Sequence, residues 1–284
     1  MADGLSTGMV ETSRASSRLQ ARLDGFVVAN RPTLAVVVPL VGAALLLASA
    51  AGQLPGWLAF NAALVLAGTV AMRTPVLVGL APTVDRRGLG VVLGLVAFTY
   101  AIEFVGVTTG WPYGAFEYGV TLGPMLGGIP VALPVLFLPI AANAYLLATL
   151  GLGTRRRGIA RIVLAVALLV AFDLVLDPGA VSLGFWGYDD GGPYYGVPLS
   201  NVLGWLLSAT VVVIGLEVAI DTERLDRRLR SCPFVLDDLV SFGLFWGVIN
   251  LATVQVVPVA MAIGILVLVY RLAPHGLPVV GRWA

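Results

Sequence analysis

IARIVLAVALLVAFDLVLD, residues 159–177, carries one arginine near its start, two acids near its end and an unbroken apolar run between them. Wound as a helix at ~1.5 Å per residue it is roughly 28 Å long, close to the ~30 Å hydrocarbon core of a bilayer. No polar stripe recurs every three or four residues, as it does on a helix that half faces water. Nor do polar and apolar residues alternate, as they do in the strands of a membrane barrel. The stretch predicts a transmembrane helix that holds acids within it.

The rest of the chain repeats the pattern. Of 284 residues, 58% are hydrophobic and 12% charged, whereas soluble domains carry about 25% charged residues. The mean hydropathy is +0.95. Apolar runs predict eight spans, at 34–51, 56–72, 89–108, 129–151, 159–177, 199–219, 238–254 and 256–271. The last two abut at Pro258, so seven is the alternative count. Arginine placement favours eight. Arg14, Arg18, Arg22 and Arg31 precede the first span; Arg73, Arg86 and Arg87 fall between the second and third; Arg155, Arg156, Arg157 and Arg161 between the fourth and fifth; Arg224, Arg227, Arg228 and Arg230 between the sixth and seventh; Arg271 and Arg282 in the tail. With eight spans all lie on one side, which the excess of basic residues in cytoplasmic loops makes the inside. The predicted fold class is all-α: a polytopic membrane helical bundle of about eight transmembrane helices in the cell membrane, N- and C-termini cytoplasmic. A polar N-terminal arm, 1–30, reads as a disordered or surface segment rather than a cleaved signal peptide. The membrane domain then covers 31–275 and a short tail 276–284.

Composition excludes several function classes. Every basic residue is arginine, so no lysine amine exists to form a retinal or pyridoxal Schiff base. The single histidine, His275, and single cysteine, Cys232, leave no ligands for a histidine-ligated haem, a zinc–histidine site, a histidine-rich di-iron centre or a multi-cysteine metal site, and no intramolecular disulfide. A net charge of +1 gives no reason to expect a nucleic-acid partner. Gly88, Gly90 and Gly94, inside a span, read as helix packing rather than a nucleotide loop.

Acids within spans are the candidate chemistry. Glu103 lies fourteen residues past Leu89, and Asp173 fourteen past Ile159, so both stand ~21 Å from the inner edge. Asp177 follows Asp173 by one turn on the same face. Asn201 and Asn250 reach the same outer-half layer, as does Asn61, whereas Asn143 lies nearer the inside. An acid in a span costs roughly 2.5–3.5 kcal/mol on insertion scales and so faces the bundle interior. With no cation at that depth, at least one of Glu103 and Asp173 is expected to carry its proton near neutral pH. Such a carboxyl donates a proton while an ionised neighbour accepts one. The bland alternative is a carboxyl that caps a helix or holds a structural water. Glu217, near the inner end of its span, is expected to snorkel, and Asp237 and Asp238 to cap the seventh span.

Two outer connections, 109–128 and 178–198, lack arginine and are dense in Gly, Pro and rings. They hold Trp111, Tyr113, Phe116, Tyr118, Trp186, Tyr188, Tyr194 and Tyr195. An interfacial belt explains single rings. The glycines and prolines favour ordered, folded-back loops that cover a pocket above the acid layer. Each connection follows a helix that ends near an acid and closes with Gly-x-Pro, at Gly128-Ile129-Pro130 and Gly196-Val197-Pro198. An internal repeat of two helix hairpins is one reading; chance recurrence of a short pattern is the other.

The pattern Glu103-x-x-Gly106-x-x-Thr109-Gly110-x-Pro112-Tyr113-Gly114, with Tyr118 and Gly128-Ile129-Pro130, resembles the membrane carotenoid-biosynthesis hydratase family. So does Asp177-Pro178 with Gly184-x-Trp186-x-Tyr188, Tyr194-Tyr195-Gly196-Val197-Pro198 and Asn201-x-x-Gly204-Trp205. The family includes the bisanhydrobacterioruberin hydratase of haloarchaea and the γ-carotene hydratase of cyanobacteria, and the resemblance covers about residues 30–275. It implies cofactor-free addition of water to the terminal isopropylidene double bond of a long polyene. For bacterioruberin synthesis that polyene is a fifty-carbon carotenoid hydrated at both ends. Partners are then the carotenoid, membrane lipid and other membrane enzymes of the pathway. Residue chemistry suggests catalytic roles for Glu103, Asp173 and Asp177. Trp111, Tyr113, Phe116, Tyr118, Trp186, Tyr188, Tyr194, Tyr195 and Trp205 are expected to line the pocket, with Asn201 and Asn250 positioning water. Two alternatives stay open: a non-catalytic carotenoid carrier or transporter, and an intramembrane prenyltransferase holding Mg²⁺-diphosphate on Asp173-x-x-x-Asp177.

Overall fold

The computed structural model of the chain describes residues 2–120, 122–153 and 158–278, with side chains from residue 16 onward. Helix α1 (Ala2–Pro32) passes through a widened π-helical turn, Thr33–Val37, into α2 (Val38–Ala50). The turn lies just before Pro39, whose missing N–H leaves a carbonyl one turn back without its usual partner. The polar arm is helical over 2–32, and Gln20 donates a hydrogen bond to the Val78 carbonyl at 3.0 Å. The side chain of Arg14, all of Arg155, Arg156, Arg157 and Arg282, and most of the tail segment lie outside the described residues.

Helices α3 (Ala62–Leu80), α4 (Arg86–Thr109), α5 (Leu133–Leu152), α6 (Ile159–Ser182) and α7 (Leu199–Ala219) follow. A short α8 (Thr222–Ser231) precedes α9 (Asp237–Ala252) and α10 (Val256–Leu272). This is an all-α polytopic membrane bundle. Each of the eight predicted spans contains a helix. Among the described residues six helices are long and apolar enough to cross a bilayer; α9 and α10, with 16 and 17 residues, are shorter.

Two boundaries differ from expectation for clear reasons. The second span starts at Ala62, not 56, because the Asn61 side chain caps it by accepting from the N–H groups of Ala63 and Leu64. Its helix then runs past Arg73, which is not in a connection but buried inside the bundle. Helix α6 continues past Asp177 through Pro178 to Ser182. Pro178 orphans the Leu174 carbonyl one turn back, and the Tyr194 hydroxyl donates to that oxygen at 3.0 Å.

Charged side chains expected at the inner surface are instead paired inside. Arg73 binds Asp238 at 2.8 Å, and Asn143 donates to the other oxygen of the same carboxylate. Asp237 binds Arg31 at 2.7 Å. Neither acid caps α9; Leu236 occupies that position. Arg161 is fully buried and forms a two-point ion pair with Glu217, which also accepts from the Tyr145 hydroxyl. Glu217 does not snorkel. Each of these acids is held by a charge-assisted hydrogen bond from an arginine of another segment.

Contacts gather the arginine-bearing segments at one end. Arg228 binds Asp24 at 2.6 Å and the Gly79 carbonyl at 2.9 Å. The Asp221 N–H donates to Thr83, and Arg31 reaches the Gly276 carbonyl. Chain entering α2 and chain leaving α10 therefore lie together.

At the opposite end the two ring-rich connections join. Strand β1 (Phe116–Tyr118) pairs antiparallel with β4 (Trp186–Tyr188), centred on Glu117 opposite Gly187. A small hairpin, β2 (Met125–Leu126) with β3 (Ile129–Pro130), closes the first connection. Helix α4 packs on α7 and α5 on α6, the exchange of neighbours that a two-fold relation between hairpins α4–α5 and α6–α7 requires. One sequence offset carries Phe116 to Trp186, Tyr118 to Tyr188 and Glu103 to Asp173. The two Gly-x-Pro closures, Gly128-Ile129-Pro130 and Gly196-Val197-Pro198, are two residues out of that offset.

Candidate active site

Beneath the β1–β4 pair lies a small cavity of about 120 Å³. Helices α4, α5, α6 and α7 wall it, and the two outer connections roof it. Glu103 and Asp177 both line it, with Tyr113, Phe116, Tyr118, Trp186, Tyr188, Asn201 and Trp205. Its lower wall is aliphatic, including Leu133, Leu136 and Ile140. No arginine is among the lining residues.

Each carboxyl is held by a tyrosine from the roof. The Tyr118 hydroxyl donates to Glu103 Oε1. The Tyr188 hydroxyl donates to Asp177 Oδ2 at 2.9 Å. Burial first, and the neighbouring carboxyls after it, push both phenols above their ordinary range, so both stay protonated as donors. Asn201 Nδ2 bridges the acids of α6, donating to Asp177 Oδ2 at 2.6 Å and Asp173 Oδ2 at 3.2 Å. Asp173 is buried behind Asp177 rather than lining the cavity, and its Oδ1 has no partner among the described residues. Symmetry is thus broken locally: Tyr188 reaches the acid one turn above the equivalent of Glu103.

Glycines let the roof descend. The Tyr113 ring sits where a Cβ on Gly204 would stand, and a Cβ on Gly106 would be 3.0 Å from the same ring. Tyr113 is thereby clamped between α4 and α7, its hydroxyl 2.6 Å from Ser208 Oγ. Gly110 ends α4 in the left-handed conformation, φ 74°, turning the chain back over the cavity. We expect Gly204→Val to cost about 1–3 kcal/mol through overpacking and to lift the 111–114 segment. Limited proteolysis checks this: faster cleavage there is the expected result, and an unchanged pattern would show that the glycine is dispensable.

Rings surround the acids. Phe116 lies edge-on to Tyr118 at 5.8 Å and near Tyr188 at 6.0 Å, and Tyr118 lies edge-on to Trp186 at 6.4 Å. Trp205 packs against Phe137 at 5.2 Å.

Four predicted site residues lie elsewhere. Trp111 is 59% exposed at the rim. Tyr194 supports the carbonyl freed by Pro178. Tyr195 has φ 52°, and its hydroxyl accepts from the Val257 N–H at 3.3 Å. Asn250 donates to the Val175 and Trp246 carbonyls, each at 2.8 Å, bracing α6 from behind. The structure adds Thr99 and Ser208 to the lining. Ser208 had a legible signal, since Asn201, Trp205 and Ser208 recur at the spacing of one helix face. Among the described residues no group of three or more His, Cys, Asp or Glu is arranged to hold a metal ion.

The profile of the family described as "Carotenoid biosynthesis protein" matches residues 60–269, which include every helix and strand around the cavity. The chain belongs to the carotenoid biosynthesis protein family. It is also 53% identical over 244 residues to the bisanhydrobacterioruberin hydratase of Haloarcula japonica, covering 85% of this chain and 83% of that relative. No solved structure matches. For this carotenoid biosynthesis protein, the matched region begins just before α3 and ends within α10, leaving the N-terminal helix outside it.

Proposed function

We propose that the chain is a carotenoid hydratase that adds water to the terminal isopropylidene double bond of a long polyene, of the bisanhydrobacterioruberin-to-bacterioruberin type. One observation carries this reading: carboxyls from two different helices line one apolar, ring-walled cavity, each held by its own tyrosine. The relative's name supports the substrate class.

Hydrogen bonding suggests the division of labour. Asp177 Oδ2 accepts from both Tyr188 and Asn201, so this carboxyl is fixed by two donors beside the place where the water would enter. Glu103 Oε1 accepts from Tyr118 alone, leaving Oε2 to carry a proton toward the substrate. Glu103 protonates the less substituted alkene carbon, and a tertiary cation forms at its neighbour. The faces of Phe116, Tyr118, Trp186 and Tyr188 stabilise that cation. Water held by Asp177 and Asn201 adds through oxygen, and its proton passes to Asp177. Transfer of a proton back to Glu103 closes the cycle, with one water added and nothing oxidised. Asp173 holds the second proton-binding position behind Asp177, joined to it through Asn201. The reaction so written needs no cofactor.

The setting is the cell membrane, with eight spans, both termini cytoplasmic and the cavity toward the outer face. Other membrane enzymes of the carotenoid pathway supply the polyene and remove the alcohol. Expression with the anhydro-carotenoid in ¹⁸O-labelled water tests the reading. Products that gain one labelled water per hydrated end are expected; unchanged carotenoid would reject it. Tyr188→Phe removes a hydrogen bond to a carboxylate, an effect of about 1.5–3 kcal/mol. Turnover roughly tenfold lower or worse is expected by chromatography, with polyene binding kept.

A further inference from the structure

Five hydroxyl-bearing side chains line the cavity: Thr99, Tyr113, Tyr118, Tyr188 and Ser208. The protons of three are committed. Tyr118 donates to Glu103, Tyr188 to Asp177, and Thr99 to the Leu95 carbonyl one turn back. Tyr113 and Ser208 instead meet each other, hydroxyl to hydroxyl, at 2.6 Å. Two hydroxyls carry two protons, and the hydrogen bond between them uses one. The other has no acceptor among the described residues. Ser208 does not return it to its own helix, as Thr210 does by donating to the Leu206 carbonyl at 2.6 Å.

Glycine contacts fix where this pair stands. A Cβ on Gly215 would meet Leu95, and Cβ atoms on Gly204 and Gly106 would both meet the Tyr113 ring. Helix α7 thus descends past α4 with Gly215 level with Leu95 and Gly204 level with Gly106. Ser208 lies as far above Gly215 as Ile102 lies above Leu95, so it is level with Ile102 and borders the cavity beside the height of Glu103. Asn201, two turns further out on the same face of α7, is ~10 Å away and holds Asp177. The cavity therefore has two polar places: Asp177 with Asn201, and a neutral hydroxyl pair ~10 Å further in, at the height of the proposed proton donor.

A donor left unpaired in a ring-walled, largely apolar space is unfavourable, and its complement is a neutral oxygen. Free water and an alcohol borne by the substrate both supply one. A loose water at the height of Glu103 competes with the alkene for its proton. An oxygen tethered to the polyene fixes the alkene beside that carboxyl instead.

We propose that Tyr113 and Ser208 form a recognition site for a hydroxyl group that the polyene already carries within a few carbons of the reacting double bond. This rests on the hydratase reading above and assigns the hydroxyl pair that the reaction leaves unused. The substrate oxygen accepts the free proton, and the carbons between it and the alkene bridge from the pair to Glu103. The site then selects an oxygen-bearing chain end over a plain hydrocarbon end.

Two polyenes with the same terminal isopropylidene group test this, one with and one without a tertiary hydroxyl a few carbons away. Turnover of the hydroxylated polyene by the native chain is expected to exceed that of the hydrocarbon by about 10²-fold. Removing both hydroxyls, Tyr113→Phe with Ser208→Ala, is expected to lower that ratio about tenfold or more. A ratio near one in the native chain overturns the proposal. So does an equal fall of both turnovers in the double variant, the result if the pair holds only water or only braces the roof. Should the double variant fail to fold, binding to the native chain decides. Dissociation constants read from polyene absorption are expected to favour the hydroxylated polyene about tenfold or more; equal values overturn the site. If the native chain hydrates neither polyene, the hydratase reading falls, while the two dissociation constants still decide what the pair recognises.

Discussion

Glu103→Gln is expected to lower hydration by about 10²–10⁴-fold, the usual contribution of a positioned general acid, while leaving the polyene bound. The amide is nearly the same size as the carboxyl, and its oxygen still accepts from Tyr118, so the roof stays closed over the cavity. Only the transferable proton is lost. Asp177→Asn is expected to fail at the following step, because an amide cannot take the proton of the incoming water. Asp173→Asn is expected to be milder, since that side chain stands behind Asp177 and does not border the cavity. Product chromatography gives turnover, and the visible absorption of purified, pigment-loaded protein gives binding. Hydration at the native rate by Glu103→Gln would remove it from the role of donor. Equal losses for Asp173→Asn and Asp177→Asn would mean that the two acids act as one unit.

Asp238→Leu is expected to be the most damaging single change to stability, by about 3–5 kcal/mol. Asp238 is fully buried, and its carboxylate joins Arg73 on α3 and Asn143 on α5 to α9. Removing it leaves a guanidinium in the bundle interior with no counter-charge. Arg73→Leu combined with Asp238→Leu is expected to recover most of the loss, because the pair is then replaced by apolar volume instead of being split. Retention of monodisperse protein after heating in detergent measures both. If the double variant is no better than Asp238→Leu, the ion pair is not what holds the three helices.

The same residues show how far a linear reading reaches. Asp238 looked like a cap because it opens a span, and Glu217 looked like a snorkelling acid because it ends one. Each guess came from position along a single helix. The partners, Arg73 and Arg161, come from helices far away in the chain. The apolar run that stops at Arg73 reads as the end of a span, yet a buried counter-ion, Asp238, lets the helix continue. Ring content puts Tyr194 on the pocket wall, and depth makes Asn250 a residue that positions water. Tyr194 instead donates to the Leu174 carbonyl orphaned by Pro178, and Asn250 to the Val175 and Trp246 carbonyls, partners visible only once α6 is seen to run on through that proline and pack against α9.

What the sequence determined alone was local or additive. The apolar runs, the gathering of arginine toward one end of the bundle and the ring-rich connections all follow from counting along the chain. Tertiary structure decided which groups meet. It set Tyr118 on Glu103 and Tyr188 on Asp177 through the register of β1 with β4, and placed Asn201 between Asp173 and Asp177. The physical reason is that these helices are apolar on all sides. A face turned to lipid and a face turned to the core have the same composition, so no stripe marks how each helix is rotated, and only packing against its neighbours chooses.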